Sequence, residues 1–151
     1  MVVFQKQIKM NHLIYAQRKL CRHREAFEEL GFINWKMKGN FRFNVGDHVF
    51  VYMKDDFGGE NSVRFETVVE AENVKREDTK YWINPSEDRK DDMTYRLRAV
   101  KEYRGSLLND TMLNKHNFHG PQSLQTPIKN NAELLGYIES VFRAEKDVRK
   151  F

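Results

Sequence analysis

Apolar positions recur along this chain with two periods, and the switch between them marks its elements. Between Arg22 and Leu30 the spacing is helical, with Ala26, Phe27 and Leu30 on one side. Gly31 is placed to stop that helix, because glycine enters left-handed backbone without a Cβ penalty. Phe32 to Trp35 then reads as a short strand leading into a polar turn at Gly39-Asn40, and Val45-Gly46-Asp47 as a second tight turn. From His48 to Lys54 the period is two, and Val49, Val51 and Met53 alternate with Phe50 and Tyr52. Both faces are apolar, which predicts a central strand. A glycine-bearing hairpin loop, Asp55 to Asn61, leads to a return strand from Val63 to about Ala71. Its predicted core face carries Val63, Phe65, Thr67 and Val69, with Arg64, Glu66 and Glu70 opposite. Tyr95 to Glu102 forms another strand, in which Tyr95, Leu97 and Ala99 alternate with Arg96 and Arg98. Between these strands runs a long polar excursion, Asn73 to Thr94, broken by Tyr81-Trp82-Ile83. Structureless loops of this length are uncommon unless they have a role. Leu107, Leu108, Thr111 and Met112 predict a turn or two of helix. A loop from His116 to Lys129 precedes an amphipathic helix from Ala132 to Phe142, capped by Asn130 or Asn131. Strands in the middle and helices at both ends predict an α+β domain built on a small, strongly bent sheet or partly open β-barrel.

Composition narrows the class. At 151 residues, 40% apolar and 32% charged, the chain suits one globular domain over residues 1–151 and excludes a collagenous or disordered one. No apolar run approaches the roughly 18 residues that cross a bilayer. Met1-Val2-Val3-Phe4 is too short for a signal-peptide core, so a cytoplasmic location with no membrane partner is expected. A single cysteine, Cys21, makes neither an internal disulfide nor half of a cysteine-based zinc site, and no cofactor is expected. The net charge of +4 is unevenly spread. Residues 1–42 hold nine basic side chains against three acidic ones. A positive field at one end of the chain suits a polyanion such as nucleic acid.

Taken in order, these segments resemble the EVE domain of the PUA-like barrel group. The resemblance rests on Ala26-Phe27 with Gly31-Phe32-Ile33-Asn34-Trp35, and on Val45-Gly46-Asp47-His48-Val49-Phe50-Val51-Tyr52. Further on it rests on Phe65-Glu66-Thr67-Val68-Val69, Tyr81-Trp82, Arg96-Leu97, and Phe118 with Gly120-Pro121 ahead of the last helix. It covers about residues 13 to 142 and departs from the pattern before Arg22, where Gln5 to Lys9 is more basic than a first strand. It implies a compact barrel flanked by helices that holds one modified base, chiefly modified cytosine in DNA, in an aromatic pocket. The wider group includes RNA readers, and a defence role would bring a partner nuclease.

Trp35 and Trp82 are the foremost base-binding candidates, since a flipped base is held by stacking and by hydrogen bonds to its edge. Both lie beside polar residues, although tryptophan is equally at home anchoring a core. Asn34 offers an amide with donor and acceptor, or else closes a turn. Tyr52 and Phe118 complete the expected pocket, with His119 and Gln122 in a covering loop. At least part of the Phe50 and Tyr52 face must fill the core. Arg18, Lys19, Lys36, Lys38 and Arg42 are the expected phosphate contacts, with Lys36 and Lys38 flanking Trp35 at strand spacing. Arg22 and Arg24 serve that role or simply solvate a helix.

Enzymatic signals are weaker, and a non-enzymatic binding module is favoured. His116 and His119 have metal-pair spacing without a third ligand. Asp55-Asp56 reads as a charged hairpin tip, and Cys21 beside Arg22 lacks a base. No phosphate-cradling glycine loop and no zinc-deaminase cysteine pair is present. The alternatives are a small hydrolase of ASCH type, using Lys54 with Asp55 or Lys36 with Glu66, and a protein-interaction adaptor.

Overall fold

The computed structural model describes residues 10–37, 42–54, 59–84, 93–120 and 131–151. The chain is α+β. Its elements are β1 (Asn11–Ala16), α1 (His23–Leu30), β2 (Phe32–Lys36), β3 (His48–Met53), β4 (Ser62–Lys75), a single 3₁₀ turn (Thr79–Tyr81), β5 (Met93–Tyr103), α2 (Asp110–Asn114), α3 (Ala132–Arg143) and β6 (Val148–Lys150). Six strands form one mixed sheet in the order β1-β3-β4-β5-β2, with β6 also paired to β5. β1 runs parallel to β3, from Asn11 opposite His48 to Ala16 opposite Met53. The other pairings are antiparallel.

β3 occupies the interior position that its two apolar faces predict. Val49, Val51 and Met53 enter one core, Phe50 and Tyr52 another. The first core also takes Ile14 and Ala16 from β1 and Ile33 from β2, the two ends of the strand order. Strands lie about 4.8 Å apart, so in a flat sheet those ends would be separated by roughly 19 Å. The apolar residues of one sheet face, with those of the strands between, join in a single core that reaches from edge to edge. Irregular pairing along β4 and β5, between Glu66/Thr67, Val69/Ala71 and Ala71/Val74, supplies bends of the kind that extra residues impose. The sheet is nonetheless not closed into a barrel, since among the described residues β1 and β2 do not pair. Connecting segments span the gap. Arg22 N–H donates to the Tyr81 carbonyl (2.8 Å), Ile83 N–H to that of Leu20 (3.1 Å), and Cys21 and Trp82 form an isolated bridge.

One expected alignment is corrected. Val63 and Phe65 were expected on one face, but Tyr52 pairs with Val63 and Val51 with Phe65, which makes Arg64 the extra residue of a bulge. Val63 therefore joins the second core and Phe65 the first. Arg64 is buried, and its Nη1 donates to the Gly105 carbonyl at 2.7 Å.

α1 buries Ala26 and Phe27 against the first core and ends on Gly31 at φ 79°. α3 covers the second core with Leu134, Ile138, Val141 and Phe142, and Asn131 caps it by accepting from Leu134 N–H. At the far end of β5, Glu102 is fully buried and ion-paired with Arg24, Arg104 and Arg149, which ties α1 and β6 to the sheet. Among the described residues no helix is long and apolar enough to cross a membrane.

Candidate nucleic-acid interface

Of the aromatic residues singled out above, Trp35 and Trp82 both pack against the first core, where connecting segments span from β1 towards β2. β2 places Trp35 opposite Tyr95, half-buried against the first core, with its ring 6.2 Å from that of His23. The bridge to Cys21 holds Trp82, also half-buried, and the Arg76 guanidinium lies over its ring at 4.7 Å. Such a cation over an indole face is attracted by the ring quadrupole.

Arg76 is held in turn by Nη1 bonds to the Asn34 carbonyl (3.1 Å) and to Asp78 Oδ1 (2.9 Å). Asp78 Oδ2 accepts the Asn34 backbone N–H at 3.0 Å. Asn34 is 1% exposed, donates from Nδ2 to Thr94 Oγ1, and accepts the Glu77 N–H on Oδ1. Its amide is engaged on both sides and closes the turn after β4, so it does not present a free edge to a base. This corrects its expected role.

Tyr52 and Phe118 are corrected as well. They are 1% and 0% exposed, their rings lie 5.1 Å apart, and both fill the second core on the other face of the sheet. The Tyr52 hydroxyl donates to Asp110, and burial pushes the phenol upward. A pocket lined by all five expected residues does not form; Trp35 and Trp82 remain on one side.

Of the expected phosphate contacts, Arg18 and Lys19 are exposed in the turn that follows β1. The Arg22 N–H donated to Tyr81 and the Leu20 carbonyl accepting from Ile83 set this turn alongside Trp82. Arg22 is exposed there and donates to the Lys80 carbonyl. Lys36 is half-buried at the end of β2, Arg42 is exposed, and Lys38 lies outside the described residues. Arg24 is committed to Glu102.

Of the two lysine–acid pairs, Lys36 and Glu66 do not come together, and Lys54 with Asp55 reaches outside the described residues. Lys36 pairs opposite Thr94 and Glu66 opposite Lys101, positions that β-strand rise sets roughly 20 Å apart along β5. Asp55, Asp56 and Gln122 lie outside the described residues. The Cys21 thiol is pushed up to about 12, by burial first and by Asp78 second, which leaves it protonated rather than activated. His116 stacks on Tyr137 with ring centroids 3.6 Å apart, and among the described residues no three potential ligands converge on a metal position. An open cleft of about 420 Å³, bordered by Glu60, Arg64, Arg104, Ser106 and Asn109, is lined by neither tryptophan.

Two buried residues of this region were missed. His23 is 4% exposed, and burial together with the Arg76 charge holds its imidazole down at about 4. Its signal was present, because it stands three and four residues before Ala26 and Phe27, on the apolar face of α1. Asp78 carried no signal, since one buried carboxylate in a charged run looks like its solvated neighbours. No protein-family model matches the chain, and no curated protein matches it.

Proposed function

We propose that the chain is a nucleic-acid-binding module of the PUA-like, EVE type, reading a modified base, with modified cytosine in DNA the favoured ligand. The observation that carries this reading is the pair of half-buried tryptophans, Trp35 and Trp82, packed against the first core, with the basic turn of Arg18, Lys19 and Arg22 beside Trp82. Flat apolar faces stack on a base, and nearby cations hold its phosphates without reading sequence.

The test is fluorescence polarisation with short DNA and RNA oligonucleotides carrying unmodified, methylated or hydroxymethylated cytosine, at two salt concentrations. One modified species is expected to bind tightest at both salts. The chain has two tryptophans, so quenching of its intrinsic fluorescence reports directly on them. Trp35→Ala and Trp82→Ala are each expected to weaken binding by about 1–3 kcal/mol, the range for one base stack. Equal, salt-sensitive binding to every oligonucleotide would reduce the function to phosphate attraction.

A further inference from the structure

The open cleft of about 420 Å³ stands apart from the tryptophans and is built on a loop with little freedom. Trp35 faces Tyr95 on β5, whereas Arg104, on the cleft, follows the far end of that strand, roughly 30 Å of strand rise away. Residues 104–107 are pinned from two sides. The buried Arg64, the extra residue of the β4 bulge, donates from Nη1 to the Tyr103 (3.3 Å) and Gly105 (2.7 Å) carbonyls. The Tyr103 hydroxyl accepts the Leu107 N–H at 2.9 Å. A Cβ at position 105 would collide with that hydroxyl, so glycine is required for the loop to pass there. Burying a guanidinium is costly, and here it is spent on fixing the backbone of a surface loop. A loop held this way is preorganised for a ligand.

What the loop presents is a cation and a hydroxyl. Arg104 donates from Nε to Glu102 Oε1 at 2.8 Å, and its side chain is 59% exposed. The same buried carboxylate also holds Arg24 and Arg149, so one negative charge is shared by three guanidiniums. Arg149 has a second carboxylate in Glu28, met with both of its Nη nitrogens. Arg104 has Glu102 alone among the described residues, and it borders the cleft together with the exposed Ser106. Glu60 stands on the same rim, accepting the Thr111 hydroxyl, while the Asn109 side chain is occupied in capping α2.

We propose that this cleft is a binding site, separate from the tryptophans, for a phosphate monoester that carries hydroxyl groups, with Arg104 and Ser106 holding the phosphate and Glu60 accepting from a hydroxyl. A guanidinium fork matches two phosphate oxygens, and the serine hydroxyl supplies a further donor. Donors from two directions suit a tetrahedral group with three outer oxygens better than a carboxylate with two. Glu60 repels a bare anion and rewards one whose ester group brings a donor, as a sugar does. The volume is that of a small-molecule site. Arg64 acts through the loop, as a positioning residue.

The probe is ribose 5-phosphate, with inorganic phosphate and a DNA oligonucleotide for comparison, followed by calorimetry and by the backbone ¹⁵N–H resonances of Gly105 and Ser106. Both resonances are expected to shift as the sugar phosphate saturates the protein, and it is expected to bind more tightly than inorganic phosphate. Arg104→Gln should weaken it about tenfold or more, and Ser106→Ala about threefold. Glu60→Ala separates the ligands, since it should weaken ribose 5-phosphate while inorganic phosphate binds as well or better. All three side chains are exposed, and resonances outside the loop should stay in place in each variant. No shift at Gly105 and Ser106, or undiminished binding by both Arg104→Gln and Ser106→Ala, would overturn the proposal. Equal affinity for both phosphates in wild type would also overturn it, marking an adventitious ion only. If Arg104→Gln weakens the oligonucleotide as much as the sugar phosphate, the cleft is a contact for nucleic-acid backbone and the small-ligand site falls. Base reading at the tryptophans stands or fails separately, on Trp35→Ala and Trp82→Ala.

Discussion

Asn34 shows how a polar residue in an apolar strand becomes a structural joint. Its backbone N–H, its carbonyl and both amide atoms are all bonded, to Asp78, Arg76, Thr94 and Glu77. An amide in the middle of Phe32 to Lys36 was conspicuous in the sequence, and its chemistry fitted a base edge equally well. What the local sequence does not contain is the turn at residues 76–78, some forty positions away, and Thr94 on β5, which together consume every one of those groups. Replacing Asn34 by Ala removes the acceptor of the part-buried Glu77 N–H and one of the bonds of Thr94 Oγ1, which still donates to the Val74 carbonyl. The expected loss is about 1–3 kcal/mol, the cost of leaving one part-buried donor unpaired and breaking a second bond, read as a lower urea midpoint. A loss below about 0.5 kcal/mol would show that water replaces the amide.

Among the elements, those whose pattern is local came through nearly intact. α1 begins one residue later than expected and stops at Gly31, and α3 ends one residue beyond Phe142. Gly31 sits at φ 79°, and a Cβ there would stand 3.1 Å from Arg98 Nη1. Gly31→Ala should therefore cost about 1 kcal/mol through backbone strain alone, with a further small increment if the guanidinium must shift. Thermal melting of the variant checks this, and an unchanged midpoint would place the helix stop elsewhere. β1 and β6 escaped prediction for opposite reasons. His12, Leu13 and Ile14 are buried in succession, so β1 lacks the alternation of a half-exposed strand, while Val-Arg-Lys in β6 is too charged and too short to stand out. The bulge at Arg64 was equally hidden, because an unbroken alternation from Val63 to Val69 gives no sign that the partner strand skips a residue.

For the molecule as a whole, the burial of His23 on α1 couples stability to pH. The folded state holds this imidazole down at about 4 from its ordinary 6.5, with burial the larger cause and Arg76 the next. Between those values the unfolded chain binds a proton that the folded chain does not, so stability is full above about pH 6.5 and falls as the pH drops. The expected loss by pH 4 is about 3 kcal/mol. Glu29, Glu70 and Glu145, held below their ordinary range by Tyr81, Arg98 and Lys150, add their losses at lower pH. Urea titrations from pH 7 to 4 should show the slope in wild type and not in His23→Asn. An equal slope in both would assign it to another group.

The sequence was sufficient for the elements with a clear period and for the two-faced interior strand, because hydrophobic spacing is a local property that neighbouring residues express on their own. It also marked both tryptophans and the basic first third of the chain. The tertiary structure decided which of the marked residues meet. It packed Trp35 and Trp82 against the first core and sent Tyr52 and Phe118 to the other. It also spent Asn34 on Thr94 and Glu77 and buried His23. Those outcomes depend on register and on contacts between residues dozens of positions apart, and a one-residue shift in pairing exchanges the faces of a strand without altering its pattern.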